Sequence, residues 1–529
     1  MSERTQVINV AAISREPTPV RPLGADGVGA PGPVSGRPDQ PPTAQPAAAQ
    51  PPTSATPSVG TQEPGPRRRP RKSLLTAAVV AVILGLTAAV MWVPGLKAKL
   101  GITPAAVEVA IAPPAPPVQF TPTLKGPGAD IPAPTAAGVA AALAGPVADP
   151  ALGTLTGTVV DPATNQVLFA QNAETTLVPA STTKVLTTAA ALLALPHAAQ
   201  LSTKVVAGDK PGTVIIVGGG DLTLSSLPAG KNSVYPGAAH LDDLVKQVQA
   251  SGPVDTVLLD LGRYTGDSIA KGWDPQDVAG GYIAPMVPAM LDGGRVDPTK
   301  AVSPRSANPA RTLADEFAKR IGATVPAKAT ATAAPGAKVL GEVRSAPVVE
   351  LVDNALQRSD NVLAEALAHE VAKATGQETS FSGGTAAIVK TLQDNGFDVS
   401  TLKLNDGSGL STLNQVSAAL LAEVLRVAAA PDGKDPRTVK LRPLLGGLPV
   451  AGGSGTLAGR YQAAPAADGK GWIRAKTGTL SNVNSLAGVV LDKDGRLLVF
   501  ALMSNGAQPD AARPALDVVA ATLRQCGCR

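Results

Sequence analysis

The spacing of apolar residues changes period several times along this chain, and each change predicts an element. A nearly unbroken apolar run, Leu74 to Val93, is closed by Pro94 and Gly95. Twenty helical residues rise about 30 Å, the thickness of a bilayer core, so this run predicts a membrane-spanning helix. Alternating stretches at Gly153 to Val160 and Gln166 to Gln171, with a turn around Asp161 to Asn165, predict a hairpin. The apolar run Val185 to Leu195 follows Val178-Pro179-Ala180-Ser181-Thr182-Thr183-Lys184 and predicts a buried helix opening at the serine. Helical periodicity returns at Val348 to Gln357 and Val362 to Val371, with Ser359-Asp360-Asn361 at their junction. Leu486 to Leu491, the turn Asp492 to Gly495 and Arg496 to Met503 predict adjacent antiparallel strands, and Pro509 to Leu523 a closing helix. The fold class is therefore α/β in the loose, α+β sense: an antiparallel sheet with helices on both sides.

Composition divides the chain further. Residues 1 to 66 are rich in Pro, Ala, Gly and Gln with few large apolar side chains, which leaves too little surface to bury against chain entropy and predicts disorder. Ile102 to Pro134, rich in Pro and Ala, reads as a semi-extended stalk. A cleavable signal peptide competes with the anchor reading of Leu74 to Val93. The long preceding segment and the missing small-x-small cleavage site favour an uncleaved anchor. The basic cluster Arg67-Arg68-Arg69-Pro70-Arg71-Lys72 predicts a cytoplasmic N-terminus and an extracytoplasmic remainder. Those five cations equal the formal net charge of +5, so the basic balance reports topology. With aromatic residues at 2%, there is little to stack bases on, and no nucleic-acid partner is expected. Cys526 and Cys528 are the only cysteines, expected on a mobile tail as two thiols or one labile bridge. With three scattered histidines they make no zinc pattern, so neither metal nor cofactor is expected.

Three short motifs carry the candidate chemistry: Ser181-Thr182-Thr183-Lys184, Ser359-Asp360-Asn361 and Lys476-Thr477-Gly478-Thr479. Each alone is weak; their order is informative. On a helix Lys184 lies one turn from Ser181, and in apolar surroundings its pKa falls toward that of a usable base, helped by a second cation such as Lys476. A helix start also aims N–H groups at developing negative charge, so the Ser181 amide is a candidate oxyanion donor. Serine or aspartate at the 359–361 junction is also an ordinary helix cap. On an edge strand Gly478 would admit close approach of a substrate backbone.

These motifs, together with Val217-Gly218-Gly219-Gly220-Asp221, Asp406-Gly407-Ser408-Gly409-Leu410-Ser411 and Gly453-Ser454-Gly455-Thr456-Leu457, closely resemble the low-molecular-mass class C penicillin-binding proteins, serine D-Ala-D-Ala carboxypeptidases and endopeptidases. The resemblance covers about residues 135 to 525 and implies a penicillin-binding transpeptidase-like, serine β-lactamase-like domain. It implies Ser181 as the acylated nucleophile, Lys184 as general base, Ser359 as proton relay and Asn361 as orienting group. Lys476, Thr477, Gly478 and Thr479 would bind the substrate's terminal carboxylate, with the Thr479 N–H completing the oxyanion hole. The long separation of Ser181 from Ser359 implies an inserted domain between the first two motifs, as is the hallmark of that class.

The expected organisation is 1–72 cytoplasmic, 73–94 anchor, 95–134 stalk, 135–204 first catalytic part, 205–340 insert, 341–525 second catalytic part and 526–529 tail. The expected function is a membrane-anchored serine D-Ala-D-Ala carboxypeptidase that trims peptidoglycan stem peptides and is acylated by β-lactams, with endopeptidase cleavage left open. A β-lactamase or esterase on the same scaffold, and a non-catalytic wall-binding scaffold, are the alternatives.

Overall fold

The computed structural model describes residues 131–529; the expected cytoplasmic segment, the anchor and all but the last residues of the stalk lie outside the described residues. Among the described residues no helix is long and apolar enough to cross a membrane. The chain order begins α1 (Ala136–Leu143), β1 (Thr154–Asp161), β2 (Gln166–Gln171), β3 (Thr176–Leu177) and α2 (Thr183–Ala194). There follow β4 (Gln200–Ala207), β5 (Thr213–Gly219), α3 (Leu241–Gln249), β6 (Thr256–Asp260), α4 (Pro309–Ile321) and β7 (Val339–Pro347). The last part comprises α5 (Val348–Gln357), α6 (Asn361–Ala374), α7 (Phe381–Asp394), β8 (Val416–Ser417), α8 (Ala418–Ala429), α9 (Thr438–Gly447), β9 (Ile473–Leu480), β10 (Val483–Leu491), β11 (Leu497–Asn505) and α10 (Pro509–Gln525).

The main sheet runs β2-β1-β11-β10-β9, antiparallel throughout. Side chains alternate across a strand, and here both faces are apolar. Leu498, Phe500 and Leu502 point with Leu486 and Val490 into a layer shared with Val139 and Leu143 of α1 and Leu516, Val519 and Leu523 of α10. Val499, Ala501 and Met503 point with Ala487 and Val489 into the opposite layer, against α2, α5, α6 and α8. Continuous apolar runs at β10 and β11 follow from burial on both faces. The last residues carry one of the two expected cysteine states, the bridge, but are packed where a mobile tail was expected. Cys526 and Cys528 are joined as a disulfide, Cys526 is buried in the α10 layer, and the Thr135 N–H donates to the Cys528 carbonyl at 2.7 Å. The tail is packed because its backbone supplies the acceptor at the α1 N-terminus.

A second sheet, β6-β5-β4-β7, is formed within the stretch between the first two motifs. β5 and β6 run parallel, the other pairs antiparallel. Ile216, Leu244, Val257, Leu313 and Phe317 give it a core of its own beneath α3 and α4. β4 and β7, by which the chain enters and leaves this sheet, extend past the expected 205–340 limits and bond side by side, with Gln200 paired to Pro347. Another apolar cluster joins Leu222, Trp273, Ile283, Met286 and Met290 from this stretch to Val362 and Ala366 of α6 and to Leu410. The insert therefore rests directly on the helix that begins at Asn361.

Candidate active site

Ser181 does not open the α-helix, as its sequence context predicted; it lies in a 3₁₀ turn, Ala180–Thr182, that runs into α2. Ala180 has φ 48°, a conformation that costs a non-glycine residue energy and must be held by its surroundings. Thr183 Oγ1 donates to the Ala180 carbonyl at 2.9 Å, and Thr182 Oγ1 to the Pro179 carbonyl at 2.7 Å. Two glycines crowd the turn. A Cβ on Gly409 would overlap the Ala180 carbonyl, and one on Gly478 would overlap Ser485 Oγ, which itself donates to Pro179 O at 2.6 Å. β9 is the edge strand of the main sheet, so Gly478 brings that free edge against the serine turn.

Lys184, one turn into the helical region, is fully buried. Its Nζ donates to Ser181 Oγ at 3.0 Å, to Asn361 Oδ1 at 2.6 Å and to the Ser408 carbonyl at 2.6 Å. Burial lowers its pKa to about 8, against the opposing pull of Asp406, Glu365 and Asp360. The geometry puts this amine within direct proton-transfer distance of the Ser181 hydroxyl.

Lys476 is also fully buried, with Nζ donating to Ser359 Oγ at 2.8 Å and to the Thr477 carbonyl at 2.7 Å. Burial, and then repulsion from Lys184, push its pKa well below the ordinary lysine value. The lysine expected near Lys184 is thus at hand, but the Lys184 shift comes from burial, with no contribution from Lys476 beside it. Thr477 Oγ1 meets Thr456 Oγ1 at 2.8 Å, and Thr479, exposed at the strand end, donates its hydroxyl to Gly478 O at 2.8 Å. The three motifs converge on one cleft. Ser181 and Asn361 meet at Lys184, and Ser359 meets Lys476.

Ser359 is held in the left-handed region at φ 55°, between α5 and α6. The helix cap is its neighbour: Asp360 Oδ1 accepts from the Leu363 N–H at 3.0 Å. Asp360 Oδ2 accepts from Arg295 Nη2 at 2.7 Å and from Tyr235 Oη at 3.0 Å, both supplied by the insert. Burial pushes the Asp360 carboxyl up, but Arg295 and Arg305 outweigh it and hold the group well below the usual carboxylate range.

Several residues at the site escaped the motif reading. Tyr282 accepts from Asn361 Nδ2 through its carbonyl at 2.9 Å, which leaves Oδ1 facing Lys184. Glu365, buried on α6, accepts from the N–H groups of Gly407 and Ser408, and burial followed by repulsion from Asp406 raises its pKa to about 8. Asp406 and Ser408 stand in a stretch noted for resemblance alone. Their signal was a dense small-and-polar stretch, which marks a tight loop without saying what the loop touches. Among the described residues no cluster of His, Cys, Asp or Glu has the arrangement of a metal site.

The Arg295–Asp360 pair generates a stability test. Its side chains are 2% and 0% exposed, so Arg295→Met takes from a buried carboxylate its hydrogen-bonded cation, with Arg305 still nearby. The expected loss is about 3–5 kcal/mol, read as a drop in the urea midpoint at neutral pH. Because the folded pKa of Asp360 is depressed, this contribution is complete above the unfolded carboxylate pKa of about 3.9 and is lost as pH falls through the folded value. An unchanged midpoint contradicts the pairing.

Comparison with known proteins places this geometry. The chain is 46% identical over 370 residues to carboxypeptidase DacB of Mycolicibacterium smegmatis, covering 69% of this chain and 79% of that protein. It is 44% identical over 369 residues to a carboxypeptidase of Mycobacterium tuberculosis, with the same coverage. The crystal structure of penicillin-binding protein 4 (DacB) from Haemophilus influenzae shares the fold at a TM-score of 0.59 and 20% identity, covering 72% of this chain and 97% of that one. The D-Ala-D-Ala carboxypeptidase 3 (S13) family matches residues 139–304 and 298–525, so the chain, with its serine turn, buried lysines and edge strand, belongs to that family.

Proposed function

We propose that this serine-type D-Ala-D-Ala carboxypeptidase trims peptidoglycan stem peptides through an acyl-enzyme on Ser181, and that β-lactams acylate the same residue. The observation that carries the reading is the Lys184 amine, buried, lowered in pKa to about 8 and 3.0 Å from Ser181 Oγ. Neutral Lys184 accepts the Ser181 proton as Oγ attacks the carbonyl carbon of the penultimate D-alanine. The oxyanion faces the N–H groups of Ser181 and Thr479. On collapse the C–N bond breaks, and Ser359 passes a proton to the departing amine of the terminal D-alanine. Water then hydrolyses the ester. Asn361 orients Lys184, and Gly478 allows the substrate backbone to lie along β9.

Lys476, Thr477 and Thr479 receive the terminal carboxylate. A depressed Lys476 pKa makes this selective in an instructive way: the anion restores the proton affinity that burial removed, so substrate binding takes up a proton. Cleavage of cross-links by the same site is a second activity of the proposal, since the bond broken is of the same kind. Leu74 to Val93 anchors the catalytic part outside the membrane, with the basic cluster at Arg67 to Lys72 holding the N-terminus in the cytoplasm.

Full-length protein treated with penicillin should carry one covalent adduct on the peptide containing Ser181, by mass spectrometry, and Ser181→Ala should carry none. Lys184→Arg keeps the charge but accepts no proton at working pH, and acylation should slow by at least about 10²-fold. Label on another serine, or a near-normal rate in the arginine variant, contradicts these roles.

A peptide ending in D-Ala-D-Ala should release D-alanine, whereas its C-terminal amide should be a poor substrate, and Lys476→Ala should remove most of that preference. Equal hydrolysis of acid and amide by the unaltered enzyme refutes carboxylate recognition.

For the anchor, full-length protein should stay with membranes through carbonate extraction. A soluble form beginning near residue 95 would show cleavage instead.

A further inference from the structure

The buried lysine has three acceptors, and the inserted segment reaches two of them. One contact is the Tyr282 carbonyl, which sets the Asn361 amide. The other runs through Asp406. This side chain is wholly buried and collects five donors. Oδ1 accepts from the Gly409 N–H at 2.8 Å and Asn414 Nδ2 at 2.6 Å. Oδ2 accepts from Trp273 Nε1 at 2.8 Å, the Ser411 N–H at 2.7 Å and Ser408 Oγ at 3.1 Å. The Gly409 N–H belongs to the same peptide group as the Ser408 carbonyl, and that carbonyl accepts from Lys184 Nζ at 2.6 Å. A carboxylate bonded to the N–H end of a peptide group polarises it and makes its oxygen a stronger acceptor.

We propose that Asp406 and Trp273 are positioning residues for Lys184: Trp273 of the insert orients and partly neutralises the Asp406 carboxylate, which acts on the lysine amine through the 408–409 peptide group. The inserted segment thereby sets how readily the base gives up its proton. It does more than wall the cleft. Trp273 is well placed for this, since its ring packs edge-on against Phe381 with centroids 5.2 Å apart while its N–H alone reaches Asp406. A second tie, Ser411 Oγ to the Lys271 carbonyl at 2.7 Å, holds the same loop to the same stretch of the insert.

The proposal rests on Lys184 being the base, and the charged groups that face it are Asp406, Glu365 and Asp360 on one side and Lys476 on the other. Their signs fix the expected shifts. Removing the Trp273 N–H leaves more charge on Asp406, which strengthens the hold on the ammonium form. Removing the Asp406 charge weakens it. Glu365 complicates the second case, because its raised pKa falls once Asp406 is neutral, returning negative charge nearby.

The test is the rate of acylation of full-length protein by a fluorescent penicillin between pH 6 and 10. The unaltered enzyme should show a rise centred near pH 8 as Lys184 loses its proton. Trp273→Phe should move that midpoint up by about 0.3 unit. Asp406→Asn on a Glu365→Gln background should move it down by about one unit. If the asparagine variant does not fold, Trp273→Phe alone decides. A midpoint unmoved in Trp273→Phe, with only the plateau rate changed, overturns the relay and leaves Lys184 as base. No rise in the unaltered enzyme overturns the base assignment, and the relay with it.

Discussion

Lys184 is the constraint from which the site is built. Its amine is buried, and a buried cation without acceptors would cost several kcal/mol. The protein gives it three oxygens from three separate regions: the serine turn, the start of α6 and the 406–411 loop. Each has to arrive at about 3 Å, so three distant stretches of chain are held in mutual register. The opposing influences leave the pKa at about 8, close enough to neutrality for the amine to give and take a proton.

Strain around that amine is local and has visible support. Ala180 and Ser359 both adopt positive φ, the first next to Ser181 and the second with its hydroxyl on Lys476. Hydroxyls of Thr182 and Thr183 brace the first, and the capped α6 with its Asp360–Arg295–Tyr235 cluster braces the second. Such geometry persists only where neighbours over-determine it. The two-sided apolar sheet supplies the stiffness, with β10 and β11 buried on both faces and β9 left as a free edge beside the serine turn.

The insert alters how the cleft is understood. Its own core lets it fold as a packed unit, yet Arg295, Tyr235, Trp273 and the Tyr282 carbonyl all bond to residues that form the site. Arg295, Tyr235 and Trp273 are buried and order the carboxylates they touch, because an unsatisfied Asp360 or Asp406 has no water to turn to. The catalytic part and the insert are therefore mechanically one structure at the cleft.

Much of this was legible in the sequence. Alternation predicted the hairpin of β1 and β2 and the pair β10 and β11; helical periodicity predicted α2, α5, α6 and α10; and motif order brought together Ser181, Lys184, Ser359, Asn361 and Lys476. Those features are local, or belong to residue types that chemistry restricts. What the chain by itself did not disclose depends on contacts between distant segments. The serine's 3₁₀ turn is enforced by Gly409 and Gly478 from far along the chain, and the packed C-terminal residues by the start of α1. Trp273, Tyr282, Arg295 and Glu365 read as an ordinary aromatic or charged residue each, and Asp406 stood out only within a stretch that carried the resemblance. Only tertiary structure decided that they bond into the network behind one lysine, because a carbonyl's direction and a carboxylate's partners are set by packing and leave no period or spacing in the sequence.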